Sequence, residues 1–282
     1  MSKYGTFQSL LPKLHSSSIP GVFGREIIMK LKKLLMDSIY NGFQGFQLYY
    51  QPQFWTDSRK LYGAEALARF SCDELGSVPP DRFISILEGS GLIIPFGRWV
   101  FREAARQGRK WTERVPDFQM SINMSGYQFA DCELTEYMSR ILHHVGLPTE
   151  NVMIEVTETY DISSSDAKKA IGRMQTSGIR VAIDDFGTGN ANLLALREHP
   201  FHTVKIARQF VPEGVTECDP FLSAVSMLCH SIGAQVCQEG VETQEQYEIL
   251  KSTAVEVVQG YLFGKPVPPE EFEMKYLGKK NP

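Results

Sequence analysis

The sequence predicts an α/β fold, a TIM-like (β/α)8 barrel whose first strand runs antiparallel to the others. Eight short apolar runs follow one another along the chain, helix-like stretches separate the later ones, and the link between the first two is too short to hold a helix. Strands alternating with helices build a parallel sheet, and eight of them close into a barrel. Two strands joined by only a few residues must pair antiparallel.

Met1 to about Gly24 is punctuated by Ser, Gly and Pro and reads as a linker. Ile27 to Met36 spaces its apolar residues as a helix does, and this lead-in helix is expected to end near Asn41-Gly42. Residues 1–44 are therefore set apart as linker and lead-in helix, and 45–282 as the barrel domain. The eight runs are Gln47 to Gln51, Leu61 to Leu67, Gln119 to Asn123, Val152 to Val156, Arg180 to Asp184, Thr203 to Ile206, Gln235 to Cys237, and Val255 to Gln259. Helix-like stretches such as Ala167 to Thr176 and Thr243 to Ser252 lie between later runs. Only Trp55 to Lys60 joins the first two, which sets the reversed strand.

A chain of 282 residues, 43% hydrophobic and 22% charged, has the material for one large core. Its formal net charge of −4 argues against a protein that coats duplex nucleic acid, which needs many Lys and Arg contacts to phosphate. The cysteines at 72, 132, 218, 229 and 237 are odd in number and lack a Cys-x-x-Cys pair, so they read as the reduced thiols of a cytoplasmic protein. No apolar run approaches the roughly 18 to 20 residues of a membrane span, and no secretory signal opens the chain.

In such a barrel the C-terminal ends of the strands converge on one mouth. The residues there are Glu65, Asn123, Glu155, Asp184 with Asp185, Lys205, Glu239 and Gln259. Clustered carboxylates resist ionisation unless cations neutralise them. An oxygen-rich set without His or Cys suits Mg²⁺ or Mn²⁺ rather than zinc. The six histidines sit off the strand ends and read as surface or packing residues. Asp184 and Asp185 end a run as the chain turns, so both can address the mouth; the plainer alternative is a loop opened by a capping Asp. Lys205, inside an apolar run, needs an acidic partner or must snorkel to solvent. Glu239 and Glu242 flank Gly240-Val241 before a helix, where acids that cap the helix are the alternative.

These positions resemble the EAL phosphodiesterase family from about Phe46 to Pro268. The matching segments come in order: Tyr50-Gln51-Pro52, Gly63 to Arg69, Ser121 to Ser125, Ile154 to Glu158, Ile183 to Gly189, Lys205-Ile206, Glu239 to Thr243, and Gln259-Gly260-Tyr261. The resemblance implies hydrolysis of cyclic di-GMP to linear pGpG by in-line attack of a metal-bound hydroxide, with two divalent cations, Mg²⁺ or Mn²⁺. By that similarity Glu65, Asn123, Glu155 and Asp184 hold one ion, and Asp184, Asp185 and Glu239 the other. Lys205 and Gln259 orient the water, and Glu239 assists its deprotonation. Gln51, Arg69, Glu242 and Pro266 are implied to bind the substrate, and Glu158 to brace the loop Phe186 to Asn192. The resemblance also implies a homodimer and a sensor or cyclase-like domain upstream in the full-length protein. The chain departs from the family pattern at Asn190-Ala191-Asn192, usually Tyr-Ser-Ser, at Ala207, usually Asp, and at Gln238, usually Ala. None of these removes an implied ligand. The alternative function is a catalytically weak or inactive EAL-type receptor or adaptor that senses cyclic di-GMP.

Overall fold

The computed structural model describes residues 22–157, 164–188, 193–199, 201–211 and 220–278. Among them nine strands form one sheet: β1 (Phe46–Trp55), β2 (Leu61–Cys72), β3 (Gly76–Val78), β4 (Gln119–Met124), β5 (Val152–Thr157), β6 (Arg180–Phe186), β7 (Thr203–Ile206), β8 (Gln235–Gln238) and β9 (Val257–Gln259). Their order is β1-β9-β8-β7-β6-β5-β4-β2-β3, and a further β1–β2 pairing closes eight of them into a barrel. β1 runs antiparallel to both neighbours, while β2 and β4 through β9 pair parallel around the ring. The reversed first strand is as the short link predicts: Trp55 N–H donates to Lys60 O at 2.9 Å across the turn.

Strand lengths depart from the apolar runs for a physical reason. β1 and β2 pair with each other from Phe46↔Phe70 to Phe54↔Leu61, so both outrun their predicted segments. β2 keeps β4 as partner only from Gly63 to Ala66 and then continues against β1 and β3. Glu65, expected at a strand end, therefore sits in mid-strand, at the end of the part that belongs to the parallel ring.

The helices are α1 (Val22–Tyr40), α2 (Pro80–Ser90), α3 (Ile93–Thr112), α4 (Leu134–Val145), α5 (Ser165–Thr176), α6 (Leu193–Glu198), α7 (Pro220–Ser231), α8 (Gln244–Lys251) and α9 (Pro269–Tyr276). α1 begins inside the stretch read as linker and buries Ile27, Leu31, Leu35 and Ile39, a single stripe at four-residue spacing. Three of these, Leu31, Leu35 and Ile39, belong to the same apolar core as the strands. Phe46, Phe70, Phe83 and Phe96 fill the space between β1, β2, α2 and α3, with ring centroids 4.6 to 6.2 Å apart. On the opposite flank of α3, Trp111 stacks on Phe272 of α9 at 4.4 Å. Inside the barrel, Tyr62, Cys237 and Val257 make an apolar floor. No helix among the described residues is long and apolar enough to cross a membrane.

Candidate functional site

Parallel register lifts one polar residue per strand to the same rim: Glu65 lies beside Ser121, Asn123 beside Glu155, and Thr157 beside Asp184. At the centre stands Lys205, 1% exposed on β7. Its Nζ lies 2.6 Å from Glu155, 2.8 Å from Glu239, 3.2 Å from Asp184 and 3.5 Å from Glu65. The lysine that the sequence left between snorkelling and pairing is fully paired and does not reach solvent.

Two amides hold Glu65 from either side. Asn123 Nδ2 donates to its Oε1 at 2.5 Å, and Gln259 Nε2 to its Oε2 at 2.7 Å. Gln259 Nε2 also donates to Gln51 Oε1 at 3.1 Å, and Gln51 Nε2 donates to the Gly264 carbonyl at 3.2 Å. Asn123 is placed by the turn behind it, where Ser125 caps a short 3₁₀ segment and donates to Glu88 at 2.6 Å.

Four acids around one lysine cannot all be satisfied. Burial pushes the Glu155 carboxyl well above its ordinary range; Lys205 opposes this, and the charges of Glu65 and Asp184 add to it. Burial likewise drives Glu239 up to about 8 against the pull of Lys205, with Asp184 and Glu65 contributing. Glu65 is the exception. Burial raises it, but Lys205 and the amides of Gln259 and Asn123 outweigh burial and hold it below the usual value. Lys205 is penalised by burial, yet its four acids hold it well above an ordinary lysine.

The donor set fits a hard divalent cation, being all oxygen apart from Lys205. One buried atom asks for a partner: Asp184 Oδ1 lies near Nζ but accepts no hydrogen bond. As the side chains stand, no three His, Cys, Asp or Glu among the described residues are grouped to hold one ion, and the acids close on Lys205 instead.

Asp185 does not join that cluster. Its φ is +54°, the register shifts between Ile183 and Phe186, and it stands exposed in a cleft of about 490 Å³ that shares Arg208, Gly240 and Glu242 with the mouth. Asp184 is drawn onto Lys205 while Asp185 stands in the adjoining cleft, through a bulge that alternation along a strand does not encode. Glu242 pairs with Arg208 at 2.8 Å and lines both this cleft and the mouth, a cleft of about 220 Å³ shared with Gln51, Glu65, Glu239 and Gln259. Arg69 lines a separate apolar cavity of about 470 Å³ with Phe83, Phe96 and Asn123, its guanidinium 5.5 Å from the Tyr49 ring. Pro266 is half-buried beside Val267, which bridges to Tyr50. Glu158 and residues 189–192 lie outside the described residues.

Sequence reasoning missed three residues. Arg208 and the exposed Tyr261 line the mouth. Tyr261 closes a quoted motif, and an exposed aromatic there was a readable signal. Gln53, two residues after Gln51 on the same face of β1, donates through Nε2 to Gln259 Oε1 at 2.8 Å. Of the histidines, His230 pairs with Glu256 at 2.7 Å and His202 accepts from Val181 N–H at 3.3 Å, neither of them at the mouth. The described cysteines are free thiols.

The family model of the EAL domain matches residues 35–266. The signaling protein YkoW of Bacillus subtilis is 35% identical over 255 residues, covering 89% of this chain and 32% of YkoW. The cyclic di-GMP phosphodiesterase RocR of Pseudomonas aeruginosa is 33% identical over 231 residues, covering 80% of this chain and 59% of RocR. The solved structure of the EAL enzyme Bd1971 in its cAMP- and cyclic-di-GMP-bound form superposes with a TM-score of 0.83 at 31% identity, covering 96% of this chain and 74% of that one. The chain thus spans about a third of the length of YkoW.

Proposed function

The chain belongs to the EAL domain family, and from that premise we propose that it hydrolyses cyclic di-GMP to linear pGpG with the help of divalent cations. The observation that carries the reading is the convergence of Glu65, Glu155, Asp184 and Glu239 on one buried lysine, an excess of negative charge that a cation relieves. A named relative that cuts cyclic di-GMP, RocR, supports the choice of substrate.

Glu65, Asn123, Glu155 and Asp184 are the residues that would hold one Mg²⁺ or Mn²⁺, and Asp184, Asp185 and Glu239 those that would hold a second. Such ions, when bound, stabilise the attacking and leaving oxygens of an in-line displacement. The chain's own groups do the rest. Lys205 Nζ is a fixed positive donor beside the acids, suited to an anionic oxygen. Gln259 turns its Nε2 toward Glu65 and Gln51 and orients the attacking water. Glu239, at the edge of the mouth and 2.8 Å from Lys205, takes the proton that the water gives up. At the mouth Arg208 offers charge to a phosphate and Tyr261 a face to a base, beside Gln51 and Glu242; Arg69, from the neighbouring cavity, and Pro266 complete the proposed substrate site.

Incubation with cyclic di-GMP and Mn²⁺, with and without chelator, tests this: pGpG should appear only without chelator. The position of Asp185 outside the acid cluster on Lys205 favours a second reading, a receptor that binds cyclic di-GMP without cutting it. Tight binding with no product would select that reading. The proposal includes a cytoplasmic setting, supported by free thiols at Cys72, Cys132, Cys229 and Cys237, and a homodimer. It also includes a longer natural protein with a sensor or cyclase-like domain upstream, supported by the fraction of its relatives that the chain spans.

A further inference from the structure

We infer that Gln53 is a positioning residue that anchors the inner end of the Gln259 side-chain amide while its NH₂ is held on Glu65 and Gln51. The inference rests on the proposed hydrolysis and deepens it by adding a residue that acts on the water-orienting amide from below.

A primary amide carries a donor and an acceptor of nearly equal size, so only its neighbours decide which way round it sits. Two groups near Gln259 are pure acceptors. One is the Glu65 carboxylate, which receives Gln259 Nε2 at 2.7 Å. The other is the Gly264 carbonyl, which receives Gln51 Nε2 at 3.2 Å and so leaves Gln51 Oε1 to accept from Gln259 Nε2 at 3.1 Å. Gln259 Oε1 is then directed into the barrel, where Gln53 Nε2 donates to it at 2.8 Å. Reversing Gln259 would set its oxygen against Glu65 and its NH₂ against the NH₂ of Gln53.

Gln53 is badly placed for any purpose except this one. It is 2% exposed, and its Oε1 is buried with no hydrogen-bond partner, an arrangement unfavourable relative to a satisfied group. Packing alone gives no reason for an amide there, since an apolar side chain of the same length fills the space without an orphaned oxygen. Gln53 lines the barrel interior with Glu155, Thr203 and Lys205 rather than the mouth, so it reaches substrate only through Gln259. The reversed strand makes the contact possible: Gln53 pairs directly with Gln259 across β1–β9, and Gln51 with Glu65 across β1–β2.

The test is a double-mutant cycle of Gln53→Met and Gln259→Ala in the full chain, with Mn²⁺ and cyclic di-GMP. Gln53→Met should lower kcat about tenfold or more with KM within about twofold, as expected for a misoriented catalytic group. The double variant should be no slower than Gln259→Ala alone. Losses that multiply in the double variant would overturn the inference. A second readout needs no turnover: in a spectrum of ¹⁵N-labelled glutamine side chains, the Gln259 NH₂ pair should shift in Gln53→Met, and an unmoved pair overturns the inference. That spectrum decides the point even if the wild-type chain cuts nothing, in which case only the hydrolytic reading fails. Should Gln53→Met and Gln53→Leu both fail to fold, the wild-type Gln259 pair decides: two sharp, exchange-protected protons support the inference, and a pair averaged by flipping overturns it.

Discussion

Lys205 meets four carboxylates, and their responses to that one charge differ enough to be tested one at a time. Read from sequence, removing any acid of the cluster relieves repulsion. The structure separates them: Glu65 is held ionised by two amides and the lysine, whereas Glu155 is pushed toward its neutral form by burial and then by its neighbours. Glu65→Ala should therefore abolish pGpG formation and slightly lower the melting temperature while leaving a folded chain, and Glu155→Gln should abolish it without lowering the melting temperature. Near-normal turnover in Glu65→Ala would remove it from the ligand set. A different residue sets an alkaline limit. Burial, followed by the Glu256 charge, raises the Cys229 thiol from 9.0 to about 11. Below pH 9 the thiol is neutral in both folded and unfolded chains, and its contribution to stability is complete. Between about 9 and 11 only the unfolded chain releases the proton, so stability falls with pH. Denaturant midpoints at pH 8 and 10.5 should fall further apart in the wild type than in Cys229→Ala; equal differences would refute the assignment.

Individual elements show how the rim is kept in shape. Gln238, which stands where the family pattern has alanine, is fully buried at the end of β8. Its Nε2 donates to the carbonyls of Ile206 at 3.2 Å, Ala207 at 3.3 Å and Glu239 at 2.9 Å, tying the ends of β7 and β8 together beneath Glu239. Ala207, another departure, is small where the pattern has aspartate, and its carbonyl is one of the three that Gln238 holds. Gln238→Ala should cost about 1 kcal/mol, measured by chemical denaturation, because the Glu239 carbonyl loses its Gln238 donor while Ile206 and Ala207 keep the backbone N–H groups of Glu239 and Phe210. The loss is partly offset because Gln238 Oε1 is itself buried without a partner. After β6 the chain turns through Gly187 at φ +95°, where an added Cβ would lie 2.5 Å from the Phe210 ring. Phe210 in turn stacks on Phe221 of α7 at 5.3 Å, so the turn that carries Asp185 is packed against an outer helix.

The whole molecule is larger than the stretch its family relationship marks. The EAL match ends at Pro266, yet Phe272 of α9 is fully buried, and Glu273 accepts from Trp111 Nε1 at 3.0 Å and Gln107 Nε2 at 3.1 Å. Leu31 of α1, before the match begins, belongs to the same core. α7 presents Phe221, Met227 and Leu228 to solvent at 54%, 64% and 40% exposure. We place the proposed homodimer contact on the side of α7 that carries Phe221 and Leu228, seven residues apart, because exposed apolar surface gains most from a second copy. Sedimentation should show the wild type as a dimer and the Phe221→Ser, Leu228→Ser double variant as a monomer. A monomeric wild type, or an unchanged dimer in the variant, would reject the contact.

Local pattern sufficed for the eight strands of the ring, though not for the short β3 at its edge, since apolar runs bounded by turns and a link of only six residues leave few ways to close a sheet. It sufficed as well to name Glu65, Asn123, Glu155, Asp184, Lys205, Glu239 and Gln259 as residues of one rim, because a parallel barrel sends the ends of its strands to the same place. Their arrangement there was settled by approaches between distant parts of the chain. Lys205 meets Glu155 from 50 residues away and Gln53 meets Gln259 from 206, through registers that no short segment specifies. Asp185 stands in the cleft beside the acid cluster, at a bulge in one strand pairing, and a shift of that kind depends on the neighbouring strand as much as on the residues that make it.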